Sequence, residues 1–440
     1  MNRYLKSVGL AVIIVLFVVV VGSFGIEKRT KKELRLAMFG GSNWDVAAQD
    51  SYEVMEDIVS LFEKENPEID IKYETGVLKD DYSEWLSEKI LSDEAPDLMF
   101  IVKSDFNKFV DLDILQELDE YIKDDSEFDE KKIYASVMET GKINGKQYGL
   151  PVEAMPYLMF VNKTLLSEEG IEVPSDDYTF EDLYKICSRV TKDTDDDGII
   201  DRFGIYKYSW RDAAAANNAS VFSEDGKTCN FTSDEIKEAI TFMNSLELLN
   251  NGQTVTQEDF DEGKVAFMPL TLAEYRTYKT YPYKIKKYSD FRWDCIPMPR
   301  GSAGDNKSRI DALNIAMSSR SMNKDLAWKF MKFLSSDEKV QKKIYEKTSS
   351  ASVMPSVMES NMEEAILEDE ENESEWLVHS EMIGSTLKNG SAEMRFDAYE
   401  GAMSLADSEI NRIISNGLET DIEGSLKNLQ AEISEYLKHF

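Results

Sequence analysis

The chain has 440 residues, of which 42% are hydrophobic and 30% are charged, and a chain of this size can form two or three domains with separate cores. Its 84 acidic and 50 basic residues give a net charge of −34 at pH 7. Such a surface repels phosphate backbones and anionic lipids, so no nucleic-acid partner is expected. With only 2 histidines in the chain, histidine-based metal sites and Ser/His/Asp triads are nearly excluded.

An apolar run covers residues 8–26 and follows Arg3 and Lys6, a pattern typical of a secretory signal peptide or a single membrane anchor. We assign residues 1–32 to this segment and its charged tether. The first cysteine of the chain is Cys187, so attachment of a lipid to a cysteine near the N-terminus is excluded. Basic residues follow the run, and such residues normally stay inside the cell. The sequence does not decide whether the apolar segment is cleaved or retained.

The next part of the chain alternates between strand and helix patterns. Strands are predicted at Glu33–Phe39, Ile69–Tyr73 and Leu98–Val102, with helices at 45–65 and 80–92 between them. This βαβαβ order indicates a mainly parallel sheet with right-handed crossovers. Ligands of such sheets lie beyond the carboxyl ends of the strands, so the loops at 40–44 and 103–105 are candidate binding loops.

Residues 143–163, INGKQYGLPVEAMPYLMFVNK, are the most informative stretch of the chain. Asn144-Gly145 predicts a tight turn, because both residues tolerate positive φ. Pro151 cannot donate to a ladder, so the chain is predicted to leave one sheet there. The apolar run at 158–161 then supplies a buried strand of another sheet. Two side chains between these points can face a cleft: Glu153 and Tyr157. The pattern predicts two lobes joined by a hinge.

Local signals divide the rest of the chain. Helix starts are predicted at Thr179–Asp182 and Thr232–Glu235, where a hydroxyl and an acid have capping-box spacing. A strand is predicted at Val265–Met268 and a return crossing at Phe291–Pro297, and the final third reads as helical and acidic. We therefore expect an α/β protein with two lobes, the first formed by residues 33–148 plus 298–350 and the second by residues 149–297 plus 351–440.

The motif DTDDDGIID at 193–201 matches the spacing of a calcium loop. Such loops place oxygen ligands for a hard cation at alternate positions of a tightly turned backbone. The corresponding ligands in this chain are Asp193, Asp195, Asp197, the Ile199 carbonyl and Asp201. Gly204 stands where a bidentate glutamate is usual, so the last ligand has to come from elsewhere. Structural calcium is the favoured interpretation, and a solvated acidic turn that binds weakly is the alternative.

Four segments carry a resemblance to a known family: the stretch at 143–163, AFMPLTLAEY at 266–275, IPMPRG at 296–301 and NKDLAWKFMKFLSSDEKVQ at 323–341. The chain resembles bacterial extracellular solute-binding proteins of ABC importers, in the group-1, largely carbohydrate, class. This resemblance implies a two-lobed periplasmic-binding-protein-like (type II) fold with a hinge between the lobes and a helical C-terminal part. It also implies a body outside the cell, a sugar ligand bound without chemistry and an ABC permease as partner. A monomer is expected.

Sugar sites pair carboxylates and amides with aromatic platforms, because sugar rings have polar edges and apolar faces. By resemblance, Glu153 takes the place of the family's sugar-contacting acid, and Tyr275 the place of a stacking aromatic. Other candidate ligand residues follow strands, crossings or loops: Trp44, Asp105, Tyr157, Trp210, Arg309, Asp311 and Trp376. For Asp105 the alternative is the N-cap of a helix at 106–110, and for the others it is ordinary packing or an ion pair.

An enzyme is not expected, since no GxSxG elbow is present and GSAGDNKS at 301–308 departs from phosphate-loop spacing. Two other classes stay open as alternatives. One is a secreted carbohydrate-active enzyme with a calcium-stabilised fold, in which two carboxylates act on a glycosidic bond. The other is a membrane-tethered sensor module of the same fold, which signals to a partner instead of delivering its solute.

Overall fold

The computed structural model describes residues 31–46, 51–223, 225–280, 291–360, 377–416 and 421–439. The first lobe begins with β1 (Lys32–Ala37), α1 (Ser51–Glu65), β2 (Ile69–Tyr73), α2 (Lys79–Leu91) and β3 (Leu98–Ile101). Three short helices and a hairpin follow: α3 (Phe106–Asp111), α4 (Asp119–Asp124), α5 (Ala135–Met138), β4 (Lys142–Ile143) and β5 (Lys146–Gln147).

A long strand, β6 (Gly149–Asn162), leads into the second lobe. That lobe contains α6 (Lys163–Glu168), α7 (Phe180–Val190), β7 (Phe203–Ile205), α8 (Trp210–Ala216), α9 (Asp234–Leu249), α10 (Gln257–Asp261), β8 (Val265–Thr271), α11 (Leu272–Thr280) and β9 (Trp293–Ile296). The remaining elements are β10 (Arg309–Met317), α12 (Lys324–Ser336), α13 (Glu338–Lys347), α14 (Leu377–Asn389), β11 (Ser391–Ala392), α15 (Tyr399–Ser415) and α16 (Ile422–Tyr436).

The predicted βαβαβ unit is confirmed. β1 lies between β2 and β3 and pairs in parallel with both of them. The predicted first helix is not helical at Asp45, which occupies a left-handed turn with φ of 56°, and α1 is described over Ser51–Glu65. α1 packs on the sheet through one apolar side, formed by Val54, Met55, Ile58, Val59 and Phe62.

One strand belongs to both lobes. The first half of β6 pairs antiparallel with β10, with Glu153 opposite Leu313 and Pro156 opposite Ile310. From Tyr157 onward, β6 pairs antiparallel with β8 and β9. The strand order across the described residues is therefore β2-β1-β3-β10-β6-β8-β7, with β9 beside β6 and β11 beside β10.

The exit from the first sheet was predicted at Pro151, and this is wrong. Pro151 lies inside the first sheet opposite Asn314, next to a register shift between Leu313 and Asn314. A bulge accommodates a residue that has no N–H to give to the ladder. The partner of β6 changes at Pro156 and Tyr157, which is beyond the lobe boundary predicted at residue 149.

Two clusters of buried side chains form the cores. The first covers the sheet of the first lobe and continues onto one face of β8 and β9, and the second lies among α7, α9, α15 and α16. α14 packs against α5 and buries Ile383 and Leu387 in the first cluster. Within the segment 351–440, the buried apolar residues at 353–387 belong to the first cluster and those at 396–437 to the second. The assignment of the whole segment to the second lobe stays a prediction.

Local turn and capping signals were largely correct. Thr179 caps α7 in a reciprocal capping box with Asp182, as predicted. The start of α9 is capped by Ser233, one residue beyond the predicted Thr232, whose side chain bonds elsewhere. Asn144 and Gly145 have φ of 51° and 74° in the hairpin between β4 and β5, which confirms the predicted turn.

Among the helices that the structure describes, none combines the length and the apolar character needed to span a membrane. The apolar run at residues 8–26 lies outside the described residues. Its assignment as a signal peptide or an anchor stays a prediction.

Two glycines offer a matched test of this packing. A Cβ at Gly204 in β7 would lie 2.4 Å from the Cβ of Cys187 in α7, whereas a Cβ at Gly384 in α14 would meet the Tyr134 hydroxyl at 3.4 Å. We expect Gly204→Ala to lower the free energy of unfolding by about 1–3 kcal/mol, and Gly384→Ala to raise it by roughly 0.5–1 kcal/mol. Thermal unfolding measures both changes, and a Gly204→Ala variant at least as stable as the wild type would contradict the packing of α7 on β7.

Candidate functional site

The candidate site lies along one face of the crossing strands. Side chains alternate between the faces of a strand, so directly opposed residues of β6 and β10 share a face. Two such pairs, Glu153–Leu313 and Met155–Asp311, form what we call the crossing row together with Tyr157 and the Arg309 guanidinium that lies against its ring. The row extends from the first lobe toward the second over roughly 13 Å, at about 3.3 Å per residue.

Trp44 and Glu153 form a hydrogen-bonded pair at the first-lobe end of the crossing row. The indole Nε1 of Trp44 donates to Glu153 Oε2 at 2.8 Å. The pair borders a cavity of about 700 Å³, including space open to solvent, which we call the Trp44 pocket. Besides this pair, the polar residues that line the pocket are Ser42, Asn43, Ser51, Lys347, Thr348 and Ser349. The pocket lies beyond the carboxyl ends of β1 and β3, where the parallel sheet predicts a ligand.

The loop that carries Trp44 is fixed from two sides. Its own backbone N–H donates to the Ser42 hydroxyl at 3.0 Å. Lys79, in the first turn of α2, donates to the Asn43 carbonyl and to the Asp45 carboxylate, each at 2.6 Å. These contacts hold the indole in place before a ligand arrives, which lowers the entropy cost of binding.

The carboxyl group of Glu153 is poorly hydrated. Burial raises the pKa of Glu153, and hydrogen bonds from Trp44 and from the Ser350 hydroxyl lower it only in part, so the pKa lies above its ordinary value. An ionised carboxylate in such a place lacks the solvation that water provides. A ligand hydroxyl that donates to it therefore makes a charge-assisted bond with little competition from solvent.

Arg309 joins the start of β10 to the second lobe. Its Nε donates to Asp212 Oδ1 at 2.6 Å, and its guanidinium lies 4.7 Å from the centre of the Tyr157 ring. The Asp212 side chain is 2% exposed and also accepts the Ser209 N–H at 3.0 Å, which caps α8. The crossing row is thus tied at its second end to the N-terminus of α8.

A carboxylate that the sequence did not predict, Glu393, lies between cations of both lobes. Lys103 Nζ is 2.8 Å from Glu393 Oε2 and 2.9 Å from Asp311 Oδ2. Arg211 Nη1 is 3.1 Å from Glu393 Oε1. A second cavity of about 600 Å³, including open space, adjoins these residues, and we call it the Arg211 pocket. Its aromatic lining residues are Trp210, Phe222 and Tyr399.

The predicted ligand residues that the structure brings to the crossing row are Trp44, Glu153, Tyr157, Arg309 and Asp311. Between the two ends, Met155 is buried, and its sulfur accepts the Ala273 N–H of α11 at 3.3 Å. α11 of the second lobe therefore contacts the middle of the row. That the row binds a ligand stays a prediction.

Other predicted ligand residues are buried. Tyr275 is 3% exposed and packs edge-on against Trp293, with ring centres 5.7 Å apart, and its role as a stacking platform stays a prediction. Trp210 is 2% exposed, and its Nε1 donates to Asp407 at 2.9 Å. Asp105 is 8% exposed and does not cap α3 through its side chain. Trp376 lies outside the described residues.

The predicted calcium loop forms a tight acidic turn. Carboxylate oxygens of Asp193, Asp195 and Asp197 lie within 4.8 Å of one another. Gly198 N donates to Asp193 at 2.6 Å, so the backbone wraps around this carboxylate. Asp201 accepts the Thr194 N–H at 3.1 Å and is oriented by the loop itself. Three carboxylates thus converge, as a hard cation requires.

Comparison with known proteins agrees with this architecture. The sequence matches the family described as bacterial extracellular solute-binding protein over residues 43–341. A putative binding protein of Brucella abortus (strain 2308) is 25% identical to this chain in an alignment of 303 positions that covers 63% of this chain and 67% of that protein.

Solved structures share the fold along nearly the whole chain. The cyclic alpha-maltosyl-1,6-maltose binding protein of Arthrobacter globiformis has a TM-score of 0.75 at 16% identity, with 93% of this chain and 100% of that one covered. The sugar-binding protein MalE of Xanthomonas citri has a TM-score of 0.71 at 18% identity, covering 93% and 98%. An ABC substrate-binding protein of Listeria monocytogenes in complex with cycloalternan has a TM-score of 0.65 at 22% identity, covering 93% and 99%.

These similarities confirm the fold class predicted from the sequence, an α/β two-lobed periplasmic-binding-protein-like (type II) fold with a hinge and a helical C-terminal part. The family resemblance is confirmed as well, since the match spans more than half of the chain. The protein belongs to the bacterial extracellular solute-binding proteins.

Proposed function

We propose that this protein is an extracytoplasmic receptor that binds a mono- or oligosaccharide between its lobes and delivers it, unaltered, to an ABC permease. The observation that carries the proposal is the Trp44–Glu153 pair at the mouth of the Trp44 pocket. It combines an aromatic face with a poorly hydrated carboxylate on the strand that both lobes share.

This combination suits a sugar. The C–H face of a sugar ring packs on an aromatic side chain, while its hydroxyls need oriented acceptors and donors. Glu153 supplies an acceptor, and Ser42, Asn43 and Thr348 supply further polar groups around the same pocket. Solved proteins of the same fold bind cycloalternan and cyclic alpha-maltosyl-1,6-maltose, which supports a saccharide ligand.

Delivery requires that the ligand favours the closed arrangement of the lobes. A ligand shifts such an equilibrium only by the difference between its affinities for the open and the closed forms. A micromolar dissociation constant corresponds to roughly 8 kcal/mol, which stacking and several charge-assisted hydrogen bonds can supply after the ordering costs. The closed receptor is the form that a permease would recognise.

The proposed location is outside the cytoplasm, because family membership fits an extracellular body. In this proposal residues 1–32 direct the chain across the membrane, as a cleaved signal or as a retained anchor, and the receptor acts as a monomer. A retained anchor combined with ligand-dependent contact to a membrane kinase would instead favour the sensor alternative.

We also propose that the acidic loop at 193–201 binds structural calcium through Asp193, Asp195, Asp197 and the Ile199 carbonyl. The backbone N–H of Asp197 lowers the pKa of Asp195, but the carboxylates of Asp197 and Asp193 outweigh it, so the pKa lies above its ordinary value. A bound cation would remove this repulsion and fix the loop between α7 and β7. Asp201 then acts by orienting the loop through Thr194.

Saccharide binding is tested with the purified protein and a panel of malto-, isomalto- and manno-oligosaccharides. A ligand that binds only the folded state raises the melting temperature by mass action, so we expect a concentration-dependent rise for at least one compound. Chromatography of the recovered compound should show it unaltered. Cleavage of the compound would favour the enzyme alternative, and no rise with any saccharide would contradict the proposed ligand class.

Glu153→Gln separates binding from stability. Because the pKa of Glu153 is raised, its ionised form destabilises the folded protein. This destabilisation is absent at pH values below the unfolded-state pKa of about 4.3. It is complete at pH values above the folded-state pKa. We expect the variant to melt at a higher temperature than the wild type at pH 7, and to lose this advantage at pH 4. Its saccharide affinity should fall about ten- to a hundredfold, the loss expected for a charge-assisted hydrogen bond. An unchanged affinity would exclude Glu153 from the site.

Removal of calcium tests the acidic loop. A chelator is expected to lower the melting temperature of the wild-type protein, and added calcium to restore it, because a cation that binds the folded state stabilises it. The Asp193→Asn variant should have the same melting temperature with and without the chelator. If the chelator does not change the melting temperature of the wild-type protein, the loop is a solvated acidic turn and not a structural calcium site.

A further inference from the structure

Residues 391–398, which we call the strap, run from the crossing strands along the first lobe. Ser391 N donates to the Ser308 carbonyl at 2.8 Å, and β11 pairs with the start of β10. The Arg395 carbonyl then accepts the Asn144 N–H at 3.0 Å, and the Arg395 guanidinium donates to the Lys103 carbonyl at 2.9 Å. The strap is thus fixed to the first lobe through backbone groups.

The same strap is anchored in the second lobe by its aromatic residue. Phe396 packs edge-on against Phe222 and Tyr399, with ring centres 5.0 and 5.6 Å apart. A Cβ at Gly226 would lie 2.3 Å from the Phe396 ring, so the second lobe closes tightly around this side chain. The strap therefore connects the two lobes at a point distant in sequence from β6.

Glu393 is the charged centre of the strap. Its carboxylate lies 2.8 Å from Lys103 Nζ, 3.1 Å from Arg211 Nη1 and 3.8 Å from Arg309 Nη1. Burial alone would raise the pKa of Glu393, but the charges of Lys103, Arg309 and Arg211 lower it to about 2. The carboxylate therefore stays ionised at every physiological pH.

Each of the three cations has another carboxylate of its own. Lys103 also pairs with Asp311, Arg309 with Asp212, and Arg211 with Asp407. Among the described residues, Glu393 is the carboxylate that reaches all three. Loss of its charge would leave every cation paired, yet it would break the bridge between Lys103 of the first lobe and Arg211 of the second.

We propose that Glu393 couples the two lobes electrostatically, by bridging Lys103 and Arg211 beside the crossing row, and so slows the opening of the ligand-bound receptor. The proposal rests on the proposed function for its ligand. Glu393 acts here as a positioning residue, which sets how the lobes are held through Lys103 and Arg211. Since Glu393 stays ionised, the bridge is not a pH switch.

The test compares Glu393→Gln with Glu400→Gln, an exposed acid in the first turn of α15 that gives the same change of net charge. The probe is the oligosaccharide of the panel that stabilises the wild type most. We expect Glu393→Gln to release it about ten times faster, within the usual range of coupling between sites, with little change in the association rate. Amide hydrogen exchange without ligand should be faster at Asn144 and Ser391, whose N–H groups donate to Arg395 and Ser308 and attach the strap to its surroundings.

Glu393→Asp, which keeps the charge on a shorter side chain, should restore part of the slow release. Lys103→Met removes the first-lobe end of the same bridge, so it should give a similar change and should add little when combined with Glu393→Gln. The proposal is overturned if Glu393→Gln and Glu400→Gln have the same rates of ligand release and of amide exchange. It is also overturned if Glu393→Gln lowers the melting temperature without faster ligand release. Absence of saccharide binding by the wild type refutes the proposed function instead, and the exchange comparison then decides the coupling.

Discussion

The structure depends on one strand that forms backbone ladders with two sheets in succession. Buried N–H and C=O groups need partners, and β6 finds them first on β10 and then on β8 and β9. Pro156, which has no N–H to offer, stands where the partners change. The side chains of β6 keep their alternation through this point, so Glu153 and Tyr157 face the same side although they belong to different ladders. A binding site on this face would include residues of both lobes, because β6 pairs with strands of both.

The charged side chains near the crossing row are paired, although the protein as a whole is strongly acidic. The chain carries a net charge of −34, yet Lys103, Arg211 and Arg309 meet beside the crossing row, each paired with a carboxylate. Ionised groups withdrawn from water are tolerated only when they are paired and hydrogen-bonded. With Glu393 and Glu153, the carboxylates near the row outnumber these three cations, so the row disfavours an anion, and its acceptors suit a ligand with many hydroxyl groups.

The sequence predicted what local patterns and strand ends determine. Hydrophobic periodicity located the βαβαβ unit, turn chemistry located the hairpin at Asn144-Gly145, and the rule for parallel sheets pointed to Trp44. The sequence could not predict features that depend on the register between distant strands or on the packing of distant segments. The bulge that accepts Pro151, the inward turn of Tyr275 and the packing of α14 on the first lobe all depend on contacts between distant segments. Glu393 was missed because its role arises only when β11 pairs with β10.

The most direct test is a crystal structure of the protein with the best-binding oligosaccharide of the panel. We expect the intact ligand to lie along the crossing row, contacting Trp44 and Glu153 in the first lobe and the loop before α8 in the second. A ligand held by one lobe alone, or one bound away from β6, would contradict a grip shared between the lobes.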